Sequence, residues 1–118
     1  MEVSVIEKEN GNIALFTSED ILLRDTQDIL DLMAEVYYNH GCEKIILMKK
    51  NVTEDFFELK NRLAGDIMQK VINHGMSMAI VGDFDQYDSK SLKSLIYESN
   101  QGKRILFKGT VEEAVSAF

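Results

Sequence analysis

"KIILM", residues 44–48, decides the fold of this chain. A strand with one wet face alternates apolar and polar residues. This run does not alternate, which suits a strand covered on both faces, as in a parallel sheet flanked by helices. "MSMAIVG", residues 76–82, and "RILFK", residues 104–108, repeat the pattern. Between these runs the apolar spacing becomes helical, so strands and helices alternate, and that order predicts a largely parallel sheet with right-handed crossovers.

Moving outward, "EVSVIEK", residues 2–8, reads as a strand, and "IALF", residues 13–16, as its return. Asn10-Gly11 between them is a strong hairpin signal, because both central residues of such a turn need positive φ. From about Asp25, the residues Ile29, Met33, Val36 and His40 share one helical stripe, with Leu30 and Tyr37 beside it. Asp25 or Thr26 suits the N-cap, and Gly41 suits a left-handed stop. After "KKNV", Thr53 is placed to cap a long helix whose row is Phe56, Leu59, Leu63, Ile67 and Val71. Gly65 interrupts that row, which suggests close packing or a bend. Asp88 or Ser89 would cap the next helix, with Leu92, Leu95 and Ile96 on its apolar side. Thr110 and Glu113 match a capping box before the last helix. The expected fold is α/β: a mixed, largely parallel five-stranded sheet with an N-terminal β-hairpin and about four helices.

At 118 residues the chain fits one domain, 1–118. Its net charge of −7 argues against a nucleic-acid surface over the whole molecule. No apolar run approaches the roughly 20 residues that span a bilayer. The N-terminus lacks the basic and apolar stretches of a signal peptide. Cys42 is the only cysteine, which excludes an internal disulfide and fits a reducing cytoplasm.

In open α/β sheets ligands bind beyond the carboxyl ends of the strands. Here those ends are residues 49–53, 83–89 and 108–110. Asp83, Asp85 and Asp88 offer hard oxygens to Mg²⁺, Lys49, Lys50 or Lys108 offers charge to a phosphoryl group, and the helix starts after Thr53 and Ser89 suit an anion. The competing reading is simpler, since Asp and Ser between a strand and a helix are ordinary turn and cap residues. His40 and His74 each stand beside a glycine at a helix end, where capping is the default. Phe56 and Phe57 read as core anchors. Lys90, Lys93, Lys103, Arg104 and Lys108 stand against Glu98 alone, a basic stretch in an acidic chain. It is either a solvated face or a docking patch for an acidic partner.

The blocks "EDFFELKNRLAGDIMQKV", "MAIVGDF" and "KSLKSLIYESNQGKRILF" resemble a family of small bacterial proteins known only as a domain of unknown function. The resemblance runs over nearly the whole chain. Its members are similar in architecture to STAS domains, the sulfate-transporter and anti-sigma-factor-antagonist class. STAS antagonists carry a phosphorylatable hydroxyl in an Asp-Ser-x-Gly pattern at a helix start. The corresponding "LMKKNVTEDFF" lacks that pair and the glycine, and Thr53 is its nearest hydroxyl. Phosphate there would meet a favourable helix end but also Glu54 and Asp55, so the switch is not carried over.

The leading expectation is a cytoplasmic, non-catalytic regulatory or protein-interaction domain without a cofactor. Its contact residues would be Thr53, Phe57, Lys90 and Lys93, its partner a protein, and pairing of the hairpin edge would allow a homodimer. The alternatives are a small-molecule or lipid-binding domain around the long helix, and a Mg²⁺-dependent phosphoryl-transfer or hydrolytic enzyme using Asp83 and Asp85.

Overall fold

A computed structural model describes residues 1–118. Its sheet has five strands in sequence order: β1 (Glu2–Ile6), β2 (Ile13–Thr17), β3 (Lys44–Met48), β4 (Ser77–Val81) and β5 (Ile105–Lys108). β1 pairs antiparallel with β2, and every later pairing is parallel. Four helices accompany them: α1 (Thr26–His40), α2 (Leu63–Asn73), α3 (Lys90–Gln101) and α4 (Val111–Ala117). The expected α/β fold is present, with the hairpin first and β1 on the sheet's edge.

The unbroken apolar run of β3 now has its physical cause. Ile45 and Leu47 point into the larger core with Phe16, Met78, Ile80 and Phe107, roofed by residues of α1, α2 and α3. Ile46 points the other way, among Ala79, Leu106, Ala114 and Phe118 under α4. Both faces are therefore dry at β3, and each buried aliphatic side chain contributes roughly 1.5–3 kcal/mol. The short α4 contacts β4 and β5. Ile6, Leu15 and Met48 are only partly buried on that face.

Caps fix the helix ends. The Asp25 side chain accepts the N–H of Asp28 at 2.9 Å, and Gly41 closes α1 at φ 65°. Of the two expected caps for α3, Ser89 serves, accepting from the N–H of Leu92 at 3.2 Å. Thr110 accepts from the N–H of Glu113 at 3.1 Å, the first half of the expected box.

Two local expectations are corrected. The hairpin turn is not centred on Asn10-Gly11. Gly11 alone has positive φ, 122°, and its N–H reaches the carbonyl of Lys8 at 3.1 Å, so Glu9 and Asn10 take the central places. Distant contacts hold Asn10: its amide donates to the Phe118 carbonyl at 3.2 Å, and its carbonyl accepts from Lys44 Nζ at 3.0 Å.

The long helix after β3 is also not continuous. Three 3₁₀ turns, Lys49–Asn51, Glu54–Phe57 and Leu59–Asn61, precede α2. Asn61 makes the break: its Oδ1 accepts the N–H of Leu63 at 2.9 Å and its amide donates to the Asp55 carbonyl at 2.9 Å. Arg62 takes a left-handed conformation at φ 64°. A side chain competing locally for backbone groups outweighs helical spacing here. Gly65 thus falls in the first turn of α2, with open space beside it rather than close packing.

Candidate functional site

The carboxyl ends of β3 and β4 lie side by side, with Met48 paired to Val81. One residue further on, the Lys49 side chain crosses Gly82. A Cβ on Gly82 would stand 2.5 Å from Lys49 Cβ, so glycine is required for this approach. Lys49 Nζ then reaches Glu54 Oε1 at 3.0 Å. Tyr87 donates its hydroxyl to the same carboxylate, at 2.9 Å to Oε2. The Tyr87 ring stacks on Phe57 at 5.2 Å, and the Lys49 ammonium sits 5.1 Å from the Tyr87 centroid and 5.4 Å from that of Phe57. Phe84 continues the cluster inward to Phe107 at 5.4 Å. This clasp fastens the β4–α3 loop across the segment after β3.

Electrostatics fit the geometry. The Lys49 hydrogen bond holds the Glu54 carboxyl below its ordinary value, against opposing burial and with help from Tyr87. Burial acts to lower Lys49, but the neighbouring Tyr87 and Glu54 outweigh that and leave it raised. Burial pushes the Tyr87 phenol up. At neutral pH the clasp is an ammonium, a carboxylate and a neutral phenol, with the carboxylate accepting from both of the others.

Beside it, Asp83 Oδ1 accepts the N–H of Asp85 at 2.9 Å, a local turn made by an aspartate on its own loop. The two aspartates line a shallow depression with Lys108 and Phe107, and no third acidic, histidine or cysteine group converges on them. Ser89 is occupied as the α3 cap. On the other side, Asn51 is fully buried. Its Oδ1 accepts the N–H of Met48 at 3.2 Å, and its amide donates to the carbonyls of Ser18 at 2.8 Å and Asp20 at 2.9 Å. It staples the segment after β2 to the end of β3.

The residues expected at a protein contact separate. Lys90 and Lys93 are exposed on α3, and neither makes an ion pair within the chain. Phe57 is 5% exposed and lies inside the clasp, not on the surface. Thr53 is half-buried, its N–H donates to the Leu23 carbonyl at 2.9 Å, and its hydroxyl caps nothing. Arg104 is engaged at the end of α2, donating to the carbonyls of Met76 and Ile72 at 3.0 and 3.2 Å. His74 Nδ1 lies 2.9 Å from the Lys70 carbonyl and His40 Nε2 lies 3.6 Å from Glu35, so both work locally at helix ends. Cys42 is buried, and burial pushes its thiol up, away from reactive thiolate.

Sequence reasoning did not single out Asn51, Tyr87, Tyr38 or Tyr97, and it set Tyr37 beside the apolar stripe although Tyr37 is exposed. Tyr38 is 80% exposed and Tyr97 68% exposed. A signal was available for Tyr38, which falls off the apolar stripe of α1. None marked Asn51 or Tyr87, whose partners are distant in sequence.

No curated protein matches the chain. A crystal structure from Thermotoga maritima, described as a candidate anti-sigma factor antagonist, is similar over 97% of this chain and 92% of its own, with 13% identity and a TM-score of 0.44. Residues 8–118 match the family described as Domain of unknown function (DUF4180), and the chain belongs to that family.

Proposed function

We propose that this is a regulatory protein-interaction domain that docks through α3. The observation that carries the reading is the stripe Lys90, Lys93 and Tyr97, exposed along one side of the helix with both ammonium groups lacking an internal partner. An unpaired basic stripe beside an exposed tyrosine, on a chain of net charge −7, suits an acidic protein surface. The clasp supports the same reading, because its charges and rings fill the ends of β3 and β4, and the depression beside it at Asp83, Asp85 and Lys108 is shallow. The space between α2 and the sheet, which an apolar ligand would need, is occupied by Ile67, Val71, Met78 and Ile80. Thr53 is left as a neighbouring contact, and Asp83, Asp85 and Ser89 serve the loop and cap. The working compartment in this reading is the cytoplasm.

The test is quantitative capture of binding proteins from the native host, with Lys90→Glu/Lys93→Glu as the control. The expected result is a salt-sensitive partner whose recovery falls at least about tenfold in the variant. Equal recovery by both proteins would remove α3 as the docking surface.

A further inference from the structure

The charge of this protein is divided between its two outer helices. Residues 25–43, which contain α1, hold Asp25, Asp28, Asp31, Glu35 and Glu43 and no lysine or arginine; Arg24, just before them, pairs with Asp28, and His40 lies 3.6 Å from Glu35. Residues 90–108 hold five basic residues against Glu98. α2 packs against α1 on one side and shares a groove with α3 on the other, so it separates the two. The acidic and basic surfaces of one copy therefore cannot neutralise each other.

Their patterns also match. On α1, Asp31, Glu35 and Tyr38 follow one another along the surface; on α3, Lys90, Lys93 and Tyr97 do the same. Each stripe runs seven steps along its helix, about 10.5 Å. Both helices return between parallel strands, so their axes run in the same direction. A copy placed alongside another in the same orientation brings α3 of the first against α1 of the second in parallel. Asp31 then meets Lys90, Glu35 meets Lys93, and Tyr38 meets Tyr97. Asp31 accepts only a neutral amide within its own chain, from Gln27 at 2.9 Å, and remains uncompensated.

We infer that the acidic partner of α3 is α1 of a second copy of this chain, giving head-to-tail self-association. This rests on the reading of α3 as a docking surface and names its occupant. The contact is heterologous: each added copy leaves one free acidic and one free basic stripe, so growth continues beyond a dimer or closes into a ring. Two short helical stripes make a small interface of the weak, salt-sensitive class.

Sedimentation velocity on the full chain tests this, at about 50 mM and about 300 mM salt. At low salt the weight-average sedimentation coefficient should rise with protein concentration, and at high salt it should fall toward the monomer. Lys90→Glu/Lys93→Glu and Asp31→Lys/Glu35→Lys should each remain monomeric, with circular dichroism confirming that both fold. Mixing them should restore association, because every contact between the two variants again joins opposite charges. Should one variant fail to fold, Tyr38→Ala is the substitute and should weaken association at least about threefold. A wild-type chain that stays monomeric at low salt overturns the inference, as do two variants that remain monomeric when mixed. If a monomeric chain still captures an acidic host protein through Lys90 and Lys93, self-association falls while α3 docking stands.

Discussion

Asn51 and Tyr87 do the same job by different physics. Each ties one loop at the strand ends to another: Asn51 joins the segment after β2 to β3, and Tyr87 joins the segment after β4 to Glu54. Asn51 is neutral, fully buried and bonded to backbone alone. The Tyr87 clasp is charged, and its carboxylate side chain is 68% exposed. The lesson is that a tie filled by a buried side chain gives its partners less access to water once it is removed than an exposed tie does. A hydrogen bond of the Asn51 tie should therefore carry more stability than one of the clasp.

The largest expected effect breaks the buried tie. Asn51→Ala leaves the Met48 N–H and the Ser18 and Asp20 carbonyls without their partner, at a cost of about 3 kcal/mol in urea unfolding. Asn51→Asp should cost more at neutral pH, because a carboxylate oxygen replaces the amide donor opposite two carbonyls. If Asp proves milder than Ala, water reaches the staple and the contrast with the clasp collapses.

The contrast also explains how much of this molecule its sequence disclosed. β3, the caps at Asp25 and Gly41, and the order of strands and helices were legible because they depend on local spacing and on chemistry within a few residues. The break before α2 was not, since Asn61 makes it with its side chain, on the Leu63 N–H and the Asp55 carbonyl, and the helical period of the apolar row runs straight across it. Asn51 reads as a loop residue until the segment after β2 is known to pass over it. The basic stretch was visible as composition, but its freedom from internal pairing, and the engagement of Arg104 elsewhere, depend on the packed chain. Asp83 and Asp85 drew attention by type and spacing alone, and the bond from Asp83 to the Asp85 N–H serves the turn.

A smaller effect sharpens the comparison through Gly82. The Gly82→Ala methyl would stand 2.5 Å from Lys49 Cβ, an atom too close to the backbone to swing away freely. The expected cost is about 1–3 kcal/mol from overpacking. Because Lys49 must shift, Glu54 also loses its ammonium. Tyr87→Phe alone should cost about 1 kcal/mol, since the ring keeps its stack on Phe57. In the Gly82→Ala background that cost should change, whereas in the Asn51→Ala background it should add. Such a pair of double-mutant cycles reads whether the two ties are separate units.

The smallest effect distinguishes the ties by pH. Glu54 is held below the ordinary carboxyl value of 4.5, chiefly by the Lys49 hydrogen bond. A carboxyl depressed by folding adds stability that is present above its unfolded value and is lost as pH falls through its folded value. Glu54→Gln should therefore cost a few tenths of a kcal/mol at pH 7, as expected for an exposed pair. The difference from wild type should shrink as the pH drops below about 4.5 and vanish once Glu54 is protonated. High salt at pH 7 should shrink it too. Asn51 has no charge to titrate or screen, so the cost of Asn51→Ala should hold over the same range. A Glu54→Gln penalty equally indifferent to acid and salt would show that the carboxylate acts through shape, and that the clasp is a second buried-type tie.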